Sequence, residues 1–96
     1  MSRTEMMMVF CCDITRAAIR RKVAAALEDH ATRVQDSVFE ARMTPGQAQR
    51  LARQLEPLLE GQDSLRLYAI PAAGRAHCAV FGKAVPLAEE QDFWLL

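Results

Sequence analysis

MMMVFCC, at residues 6–12, is the stretch that decides the fold of this chain. Every residue in it is apolar, so a strand built from it would be buried on both of its faces. A short unbroken apolar run that ends at a charged residue, here Asp13, predicts a strand in the middle of a sheet. The rest of the chain is therefore expected to supply the strands that flank this one and the helices that cover it.

Residues 16–30 (RAAIRRKVAAALEDH) are predicted to form the first helix. Ile19, Val23 and Leu27 follow one another at four-residue spacing and make one apolar stripe. The alanines between them favour the helical conformation. Thr15, just before this segment, is a suitable N-cap.

Residues 44–60 are predicted to form a second helix, with leucines and alanines along its apolar stripe. Thr44 and Pro45 suit the N-cap and the first helical position, and Gly61 is a natural C-cap. Pro57 lacks a backbone N–H and interrupts the pattern. We therefore expect a kink or a freshly started last turn at Pro57.

Three further segments are predicted to be strands: residues 33–42 (RVQDSVFEAR), 64–70 (SLRLYAI) and 77–81 (HCAVF). Residues 71–74 are expected to form the turn between the last two. If residues 33–42 make one regular strand, one of its faces has a mixed character that suits a contact surface better than a core. That face consists of Arg33, Gln35, Ser37 and Phe39.

This order of elements predicts an α+β fold with two helices on one face of a mostly antiparallel sheet. It matches the ferredoxin-like βαββαβ sandwich, but it is one strand short unless residues 63–81 contain a hairpin. The 96 residues are expected to form a single domain, residues 1–96, with residues 1–5 as an N-terminal extension. The apolar end of the chain needs a partner strand, so we expect residues 84–96 to lie at a dimer interface.

Composition excludes several classes of protein. Cys11, Cys12 and Cys78 are odd in number and contain no C-x-x-C spacing, so they fit neither a disulfide framework nor a zinc site. No segment approaches the ~20 consecutive apolar residues of a membrane span. The start of the chain lacks the apolar core and cleavage site of a secretory signal. We therefore expect a cytoplasmic protein with no membrane partner.

The charge is balanced overall but not along the chain. Residues 1–54 carry nine Lys or Arg against six Asp or Glu, and residues 55–96 carry three against six. The basic residues of the first half fall into two groups, which are Arg16, Arg20, Arg21, Lys22 and Arg33, and then Arg42, Arg50 and Arg53. Such clustering can give a neutral protein a positive face that suits nucleic acid.

Asp13 is the acid best placed for chemistry, because it lies where the buried strand ends and a helix begins. The chain contains no P-loop, zinc-protease, dinucleotide-binding or nucleophile-elbow motif. One carboxylate is a poor metal site, but Mg²⁺ often binds through one or two carboxylates, waters and phosphate oxygens. A twofold axis near Asp13 would bring in a second copy and complete such a site. The alternative is that Asp13 only caps the first helix.

Four runs of sequence carry a family resemblance. MMMVFCCDIT, RRKVAAAL, RVQDSVFEARM and DSLRLYAI occur in this order within residues 6–70. The run R-V-Q-x-S-V-F-E, from Arg33 to Glu40, is far more specific than a motif of two or three positions. In these runs the chain resembles the small CRISPR-associated Cas2 proteins, a family of CRISPR-associated endoribonucleases. The likeness is loose after residue 71.

The resemblance implies a ferredoxin-like fold and a twofold homodimer in which the C-terminal strand crosses onto the partner's sheet. It also implies a role in spacer acquisition for CRISPR antiviral defence. In that role the dimer binds double-stranded protospacer DNA and bridges copies of the adaptation integrase. Members are described as metal-dependent endonucleases on RNA or DNA, so single-stranded RNA is a further candidate ligand.

The resemblance also implies roles for individual residues. The family's acid falls on Asp13, which becomes the catalytic residue and, shared between two subunits, the ligand of one Mg²⁺. The family's nucleic-acid-binding positions fall on Arg20, Arg33, Ser37 and Phe39, and the basic clustering adds Arg16 and Arg21. Cys12 stands where the family usually has Tyr, which bears on nuclease activity more than on the fold.

Three functions are compatible with these features. The first is a DNA-bridging scaffold for adaptation, and we prefer it to essential catalysis because each chain offers one acid and lacks the Tyr. The second is a metal-dependent nuclease, including a toxin-type endoribonuclease of the same fold. The third is a ferredoxin-like regulatory module that binds a small ligand.

Overall fold

The apolar run forms a strand in the interior of a four-stranded sheet, as its composition predicts. The computed structural model describes residues 4–82. Its elements follow in the order β1 (Met6–Asp13), α1 (Ala17–Glu28), β2 (Thr32–Gln35), β3 (Val38–Met43), α2 (Pro45–Leu55), a 3₁₀ turn (Glu56–Leu58), β4 (Ser64–Ile70) and α3 (Ala72–Arg75).

The sheet has the strand order β2-β3-β1-β4, and all of its neighbours are antiparallel. Phe10 of β1 lies opposite Phe39 of β3 on one side and Leu67 of β4 on the other. Each half of the chain contributes a strand, a helix and a strand, and a neighbour from the other half lies between the two strands. This arrangement confirms the predicted ferredoxin-like α+β fold.

Both long helices pack on the same face of the sheet. Met8 and Phe10 of β1 belong to one buried cluster with residues of both helices. Helix α1 contributes Ile19, Val23, Ala24 and Leu27, and helix α2 contributes Ala48, Leu51 and Leu55. Because residues of a strand alternate between faces, Val9, Cys11 and Asp13 lie together with the buried Met7 on the opposite face, which we call the open face.

The prediction of one strand over residues 33–42 is wrong, because this segment is a hairpin. Strands β2 and β3 are joined by a two-residue turn at Asp36 and Ser37. Both residue types favour turns, because their side chains can bond to the local backbone. The strand that the sequence seemed to lack therefore comes from here and not from residues 63–81.

Residues 77–81 do not form the predicted strand. Residues 71–74 were expected to form a turn, but residues 72–74 form the short helix α3 together with Arg75. The backbone N–H of His77 then donates to the carbonyl of Gly74, and that of Cys78 donates to Arg75. These bonds continue the turn and use the donors that a strand would need. The predicted C-terminal strand, residues 84–96, lies outside the described residues.

The helix boundaries follow the local capping chemistry. The Thr44 hydroxyl accepts from the backbone N–H of Gln47, whose side chain accepts in return from the N–H of Thr44. This capping box confirms the predicted start of α2. The helix ends at Leu55, and Pro57 lies in the fresh 3₁₀ turn that its missing N–H predicts. Helix α1 begins one residue later than expected, with Arg16 rather than Thr15 at the N-cap.

Within residues 4–82, the helices all fall short of the length and apolar character that crossing a membrane requires.

Candidate nucleic-acid and metal site

Asp13 lies at the exposed end of β1, opposite Ser64 at the start of β4. It shares the open face with Cys11 and Val9, which places its carboxylate on the side of the sheet away from α1 and α2. Its carboxylate makes no hydrogen bond or ion pair with another residue of the segment 4–82. Asp13 therefore does not cap the first helix, and its oxygens are available to a ligand.

The peptide group between Ile14 and Thr15, one residue beyond Asp13, is held at both of its polar ends. The guanidinium of Arg20 donates from Nη1 to the carbonyl of Ile14 at 3.0 Å and, less closely, to that of Thr15 at 3.4 Å. The N–H of Thr15 donates to Oδ1 of Asp63 at 3.1 Å. The carbonyl of Ile14 and the N–H of Thr15 belong to one planar peptide unit. Arg20 and Asp63 together therefore fix how the chain leaves Asp13.

Asp63 joins this loop to the turn before β4. Its Oδ2 accepts from the N–H of Glu60 at 3.0 Å, and its own N–H donates to the carbonyl of Glu60 at 2.8 Å. Gly61 has a φ of 54°, which is the left-handed conformation that this tight turn requires. Hydrogen bonds from the N–H groups of Thr15 and Glu60 lower the pKa of the Asp63 carboxyl below its ordinary value.

Sequence reasoning missed Asp63, although this residue opens the D-S-L-R-L-Y run. From the sequence alone, this run contributes only to the family resemblance. A carboxylate just before a strand, three residues after Glu60 in a turn that contains Gly61, was the available signal for a capping role. The long-range bond to Thr15 had no counterpart in the local sequence.

Arg16 lies at the N-cap of α1, beside this braced loop. Its Nη1 lies 3.1 Å from Oε1 and 3.2 Å from Oε2 of Glu60. The two side chains are 63% and 51% exposed, so water screens the pair and its contribution to stability is small. Arg16, which the sequence predicts to bind nucleic acid, lies three residues after Asp13 and already has a carboxylate partner.

Arg21 and Lys22 extend the basic surface along α1. Both are exposed, and neither makes a hydrogen bond or ion pair with another of the described residues. The first turn of α1 contains no acid, so nothing there offsets the partial positive charge of the helix N-terminus. The start of α1 is therefore suited to phosphate groups.

Arg33 lies in a different environment, where its guanidinium holds the hairpin together. Its Nε and Nη2 donate to the carbonyl of Asp36 at 3.1 and 2.7 Å, and Nη1 lies 3.6 Å from a carboxylate oxygen of Glu28. The Cζ atom lies 5.5 Å from the centroid of the Phe39 ring. All three nitrogens of Arg33 therefore have a partner within the fold.

The prediction that Phe39 contacts nucleic acid is wrong, because this side chain is 1% exposed. Phe39 is paired with Arg33 of β2 and with Phe10 of β1, so the face that it shares with Arg33 is the one that the helices cover. Phe39 consequently faces Phe10 in the core and cannot stack on a base or a sugar. Ser37 is half-buried, and its carbonyl accepts from the N–H of Cys12 at 2.9 Å, which brings the turn alongside the end of β1.

Arg42 and Arg50 of the second basic group lie at the other end of the sheet from Asp13, since Arg42 is paired with Met7 in the register of β1 and β3. Arg42 forms an ion pair with Glu5, and the two residues line a cavity of about 430 Å³ together with His30 and Arg50. Arg53 lies on the exposed side of α2. These residues supply charge-matched controls for the basic residues of α1.

Comparison with known proteins identifies the family to which the chain belongs. The family model described as CRISPR associated protein Cas2 matches residues 6–77. This chain belongs to the Cas2 family. It is 36% identical over 88 residues to CRISPR-associated endoribonuclease Cas2 2 of Synechocystis, covering 90% of this chain and 94% of that protein. It is 30% identical over 86 residues to CRISPR-associated endoribonuclease Cas2 1 of Chloroflexus aurantiacus, covering 88% and 92%.

Solved structures agree with this family and with the fold. A hypothetical protein from Thermus thermophilus, TT1823, has a TM-score of 0.73 and 30% identity, covering 85% of this chain and 98% of its own. Streptococcus pyogenes Cas2 has a TM-score of 0.68 and 26% identity, covering 80% and 100%. A chain of a partial Cas6-RT-Cas1–Cas2 complex has a TM-score of 0.70 and 24% identity, covering 88% and 98%, and shows the same fold.

In this Cas2 chain, Cys12 precedes Asp13 at the position where the family resemblance implies Tyr. Burial, and to a lesser degree the neighbouring Cys11, raises the pKa of the Cys12 thiol to about 11. The thiol is therefore neutral at physiological pH, and no nucleophilic thiolate is available there. Cys11, Cys12 and Cys78 are all free.

The donor set at Asp13 suits a divalent cation only when a second copy contributes. Among residues 4–82, no group of three or more His, Cys, Asp and Glu side chains could hold a metal ion. Both oxygens of Asp63 already accept backbone N–H groups, so of these two neighbouring aspartates only Asp13 has a carboxylate without a partner among residues 4–82. Two such carboxylates with waters would satisfy Mg²⁺, which tolerates few protein ligands.

Proposed function

We propose that this Cas2 family member acts in CRISPR spacer acquisition as a cytoplasmic homodimer that binds duplex DNA and bridges the adaptation integrase. The observation that carries the proposal is the group of cations Arg16, Arg20 and Arg21 at the start of α1, beside the unpaired carboxylate of Asp13. The Cas1–Cas2 complex of a relative with the same fold supports the choice of an integrase partner.

The arrangement of cations favours contact with the phosphate backbone over the reading of bases. Arg16, Arg20 and Arg21 lie on a helix start and on the loop before it, where guanidinium groups and backbone N–H groups can meet phosphates. Such contacts orient a duplex without selecting its sequence. That property suits a protein that must accept any protospacer.

A second copy of the chain is expected on the open face. Helices α1 and α2 cover the other face, whereas Val9, Cys11 and Val38 on the open face are only half-buried and Tyr68 is 48% exposed. A domain of this size gains stability by burying such surface against a partner. We place the homodimer interface here.

The same interface would complete the metal site. Asp13 shares the open face with Val9 and Cys11, so a twofold axis near the end of β1 would bring two Asp13 carboxylates together. We propose that this pair holds one Mg²⁺. When bound, the ion would activate water and neutralise charge on a phosphate. Arg20 would keep the loop after Asp13 in place through its Nη1, and Arg16, Arg20 and Arg21 would each bind a phosphate.

Metal-dependent endonuclease activity on RNA or DNA is the second candidate function. The exposed carboxylate of Asp13, which has no partner among residues 4–82, favours it, and two relatives carry the name endoribonuclease. A toxin-type endoribonuclease would use the same residues. Membership of the Cas2 family leaves the small-ligand module without support.

The test is spacer acquisition in cells that lack this gene but keep the integrase and the repeat array. The gene is reintroduced as wild type, as Asp13→Ala, as the double variant Arg16→Ala/Arg21→Ala, or as the control Arg50→Ala/Arg53→Ala. If the protein acts as a DNA-binding scaffold, Asp13→Ala and the control variant should restore spacer acquisition. The double variant Arg16→Ala/Arg21→Ala should not restore it.

Two results would change the proposal. Full acquisition by the α1 double variant would contradict duplex binding through α1. Loss of acquisition by a folded, dimeric Asp13→Ala would replace the scaffold by the nuclease.

A further inference from the structure

Two aspartates near the end of β1 differ in what their carboxylates do. Asp13 has no partner among residues 4–82, whereas Asp63 accepts a backbone N–H on each of its oxygens. They come close because Asp13 lies opposite Ser64 in the register of β1 and β4, so Asp63 is one residue beyond that pair. One carboxylate is free for a ligand, and the other is bound to the backbone.

The bonds of Asp63 connect two loops that are distant in sequence. Thr15 and Asp63 are 48 residues apart, and their bond is 3.1 Å long. The second bond, 3.0 Å from Glu60, fixes Asp63 within its own turn. Asp63 therefore stays in its own turn if the loop after Asp13 moves, so its bond to Thr15 restrains that loop.

The bond to Thr15 acts on the peptide unit that sets the direction of the chain after Asp13. Arg20 holds the carbonyl end of that unit at 3.0 Å, and Asp63 holds its N–H end at 3.1 Å. A planar unit held at both ends cannot rotate about its flanking bonds without losing one of them. The backbone conformation next to Asp13 is thereby restricted to one arrangement.

We propose that Asp63 is a positioning residue that holds the carboxylate of Asp13 in the geometry needed to bind a divalent cation. This inference rests on the proposed cation site at paired Asp13 residues. It assigns a role to the first residue of the D-S-L-R-L-Y run. It also explains why Asp63, although acidic and nearby, is not itself a ligand.

The experiment compares the dimer as wild type, Asp63→Asn, Asp13→Ala and Asp36→Asn. Asn has nearly the size of Asp, but its amide NH₂ must face one of the two N–H donors, so one bond is lost. Asp36→Asn makes the same charge change at another exposed carboxylate, on the hairpin turn. The readouts are the affinity for Mn²⁺, used as the probe ion, and the hydrogen exchange rate of the Thr15 amide.

We expect Asp63→Asn to weaken Mn²⁺ binding by about 10-fold, as the loss of an outer-shell partner does at other metal sites. The Thr15 amide should exchange about 10-fold faster, while amides of β1 and β4 keep their rates. Excess Mn²⁺ should still saturate Asp63→Asn, because Asp13 is present. Asp36→Asn should change neither readout, and Asp13→Ala should abolish binding.

The outcomes separate this inference from the function on which it rests. If Asp13→Ala abolishes Mn²⁺ binding and Asp63→Asn leaves it unchanged, the positioning role is wrong and the cation site stands. If Asp13→Ala still binds Mn²⁺ like the wild type, the cation site and the inference both fail. If Asp63→Asn does not fold, hydrogen exchange of the wild-type protein still tests the inference. A Thr15 amide that exchanges as fast as an unstructured amide would show that its bond to Asp63 is absent and would refute the positioning role.

Discussion

Two turns flank the end of β1, and they are held in opposite ways. On the β4 side, residues 14–16 and 60–63 are joined by an acid, Asp63, which accepts two backbone N–H groups. On the β3 side, the turn at Asp36 and Ser37 is held by a base, Arg33, which donates twice to one carbonyl. The first arrangement leaves cations available at the surface, and the second uses its cation for the fold.

The difference shows that basic residues in a cluster are not equivalent. Arg21 has no partner in residues 4–82, Arg16 has an exposed carboxylate, and Arg33 has partners on all three of its nitrogens. A phosphate could bind Arg21 at no cost to the fold, but it would have to replace the hairpin contacts of Arg33. The nucleic-acid surface should therefore lie on the β4 side of the end of β1.

The largest effect should come from the aromatic residue that the hairpin places in the core. Phe39→Ala should lower the free energy of unfolding by about 3–5 kcal/mol, because it leaves a cavity opposite Phe10. Chemical denaturation measures this loss. Phe39→Leu, which nearly conserves volume, should cost less than about 1.5 kcal/mol and keep the affinity for duplex DNA.

Phe39→Leu also tests whether Phe39 belongs to the core alone or contacts nucleic acid. Base stacking on an aromatic ring contributes about 1–3 kcal/mol per base. A well-folded Phe39→Leu that loses this much DNA affinity would return Phe39 to the nucleic-acid surface.

The next effect separates the two kinds of arginine. Arg33→Ala should cost about 1 kcal/mol of folding stability, because it removes the hairpin bonds and the contact with the Phe39 ring. It should leave the salt dependence of DNA binding unchanged. Arg21→Ala should do the reverse. Its free energy of unfolding should stay within about 0.5 kcal/mol of wild type, while the slope of log DNA affinity against log salt, the salt slope, should fall by about 1. Equal effects of both variants on the salt slope would remove the distinction between the turns.

At acid pH the contribution of Asp63 to folding stability, on the β4 side of the end of β1, should become smaller. The folded protein lowers the pKa of Asp63 below its ordinary value of 3.8. The contribution of this carboxylate is therefore complete above the unfolded pKa and is lost as the pH falls through the lower, folded pKa. The stability difference between wild type and Asp63→Asn should be constant near neutral pH and shrink below about pH 4. Urea unfolding at several pH values measures it, and a difference that grows towards acid would contradict the assignment.

The smallest effect concerns the exposed pair of Arg16 and Glu60. Glu60→Gln should raise the affinity for duplex DNA about two- to threefold, because the phosphate no longer competes with a carboxylate for Arg16. The same substitution in an Arg16→Ala background should have no effect. If the gain persists without Arg16, it reflects the net charge of the protein and not this pair.

The elements predicted correctly are those whose signal is local. β1 follows from an unbroken apolar run, β4 from clean alternation, and the start of α2 from the capping box of Thr44 and Gln47. In each case the residues that stabilise the element lie within it or beside it in sequence. The positions of Asp13, Arg16 and Arg20 near one another follow from these elements.

The errors fall where a distant contact or a very short turn decides the structure. The hairpin was missed because two turn residues, Asp36 and Ser37, interrupt an otherwise strand-like run. The hairpin places Phe39 in β3 next to the central strand, on the face that the helices cover. The role of Asp63 depends on a bond to Thr15, 48 residues away, which no local pattern can reveal.

The most direct measurement is the affinity for a short DNA duplex between about 50 and 200 mM salt, for wild type and for Arg16→Ala/Arg20→Ala/Arg21→Ala. The control is Arg50→Ala/Arg53→Ala on α2. If the start of α1 binds the phosphate backbone, the slope of log affinity against log salt falls by about 3 in the triple variant and stays at the wild-type value in the control. An unchanged slope in a folded triple variant would contradict the claim that this end of β1 faces nucleic acid.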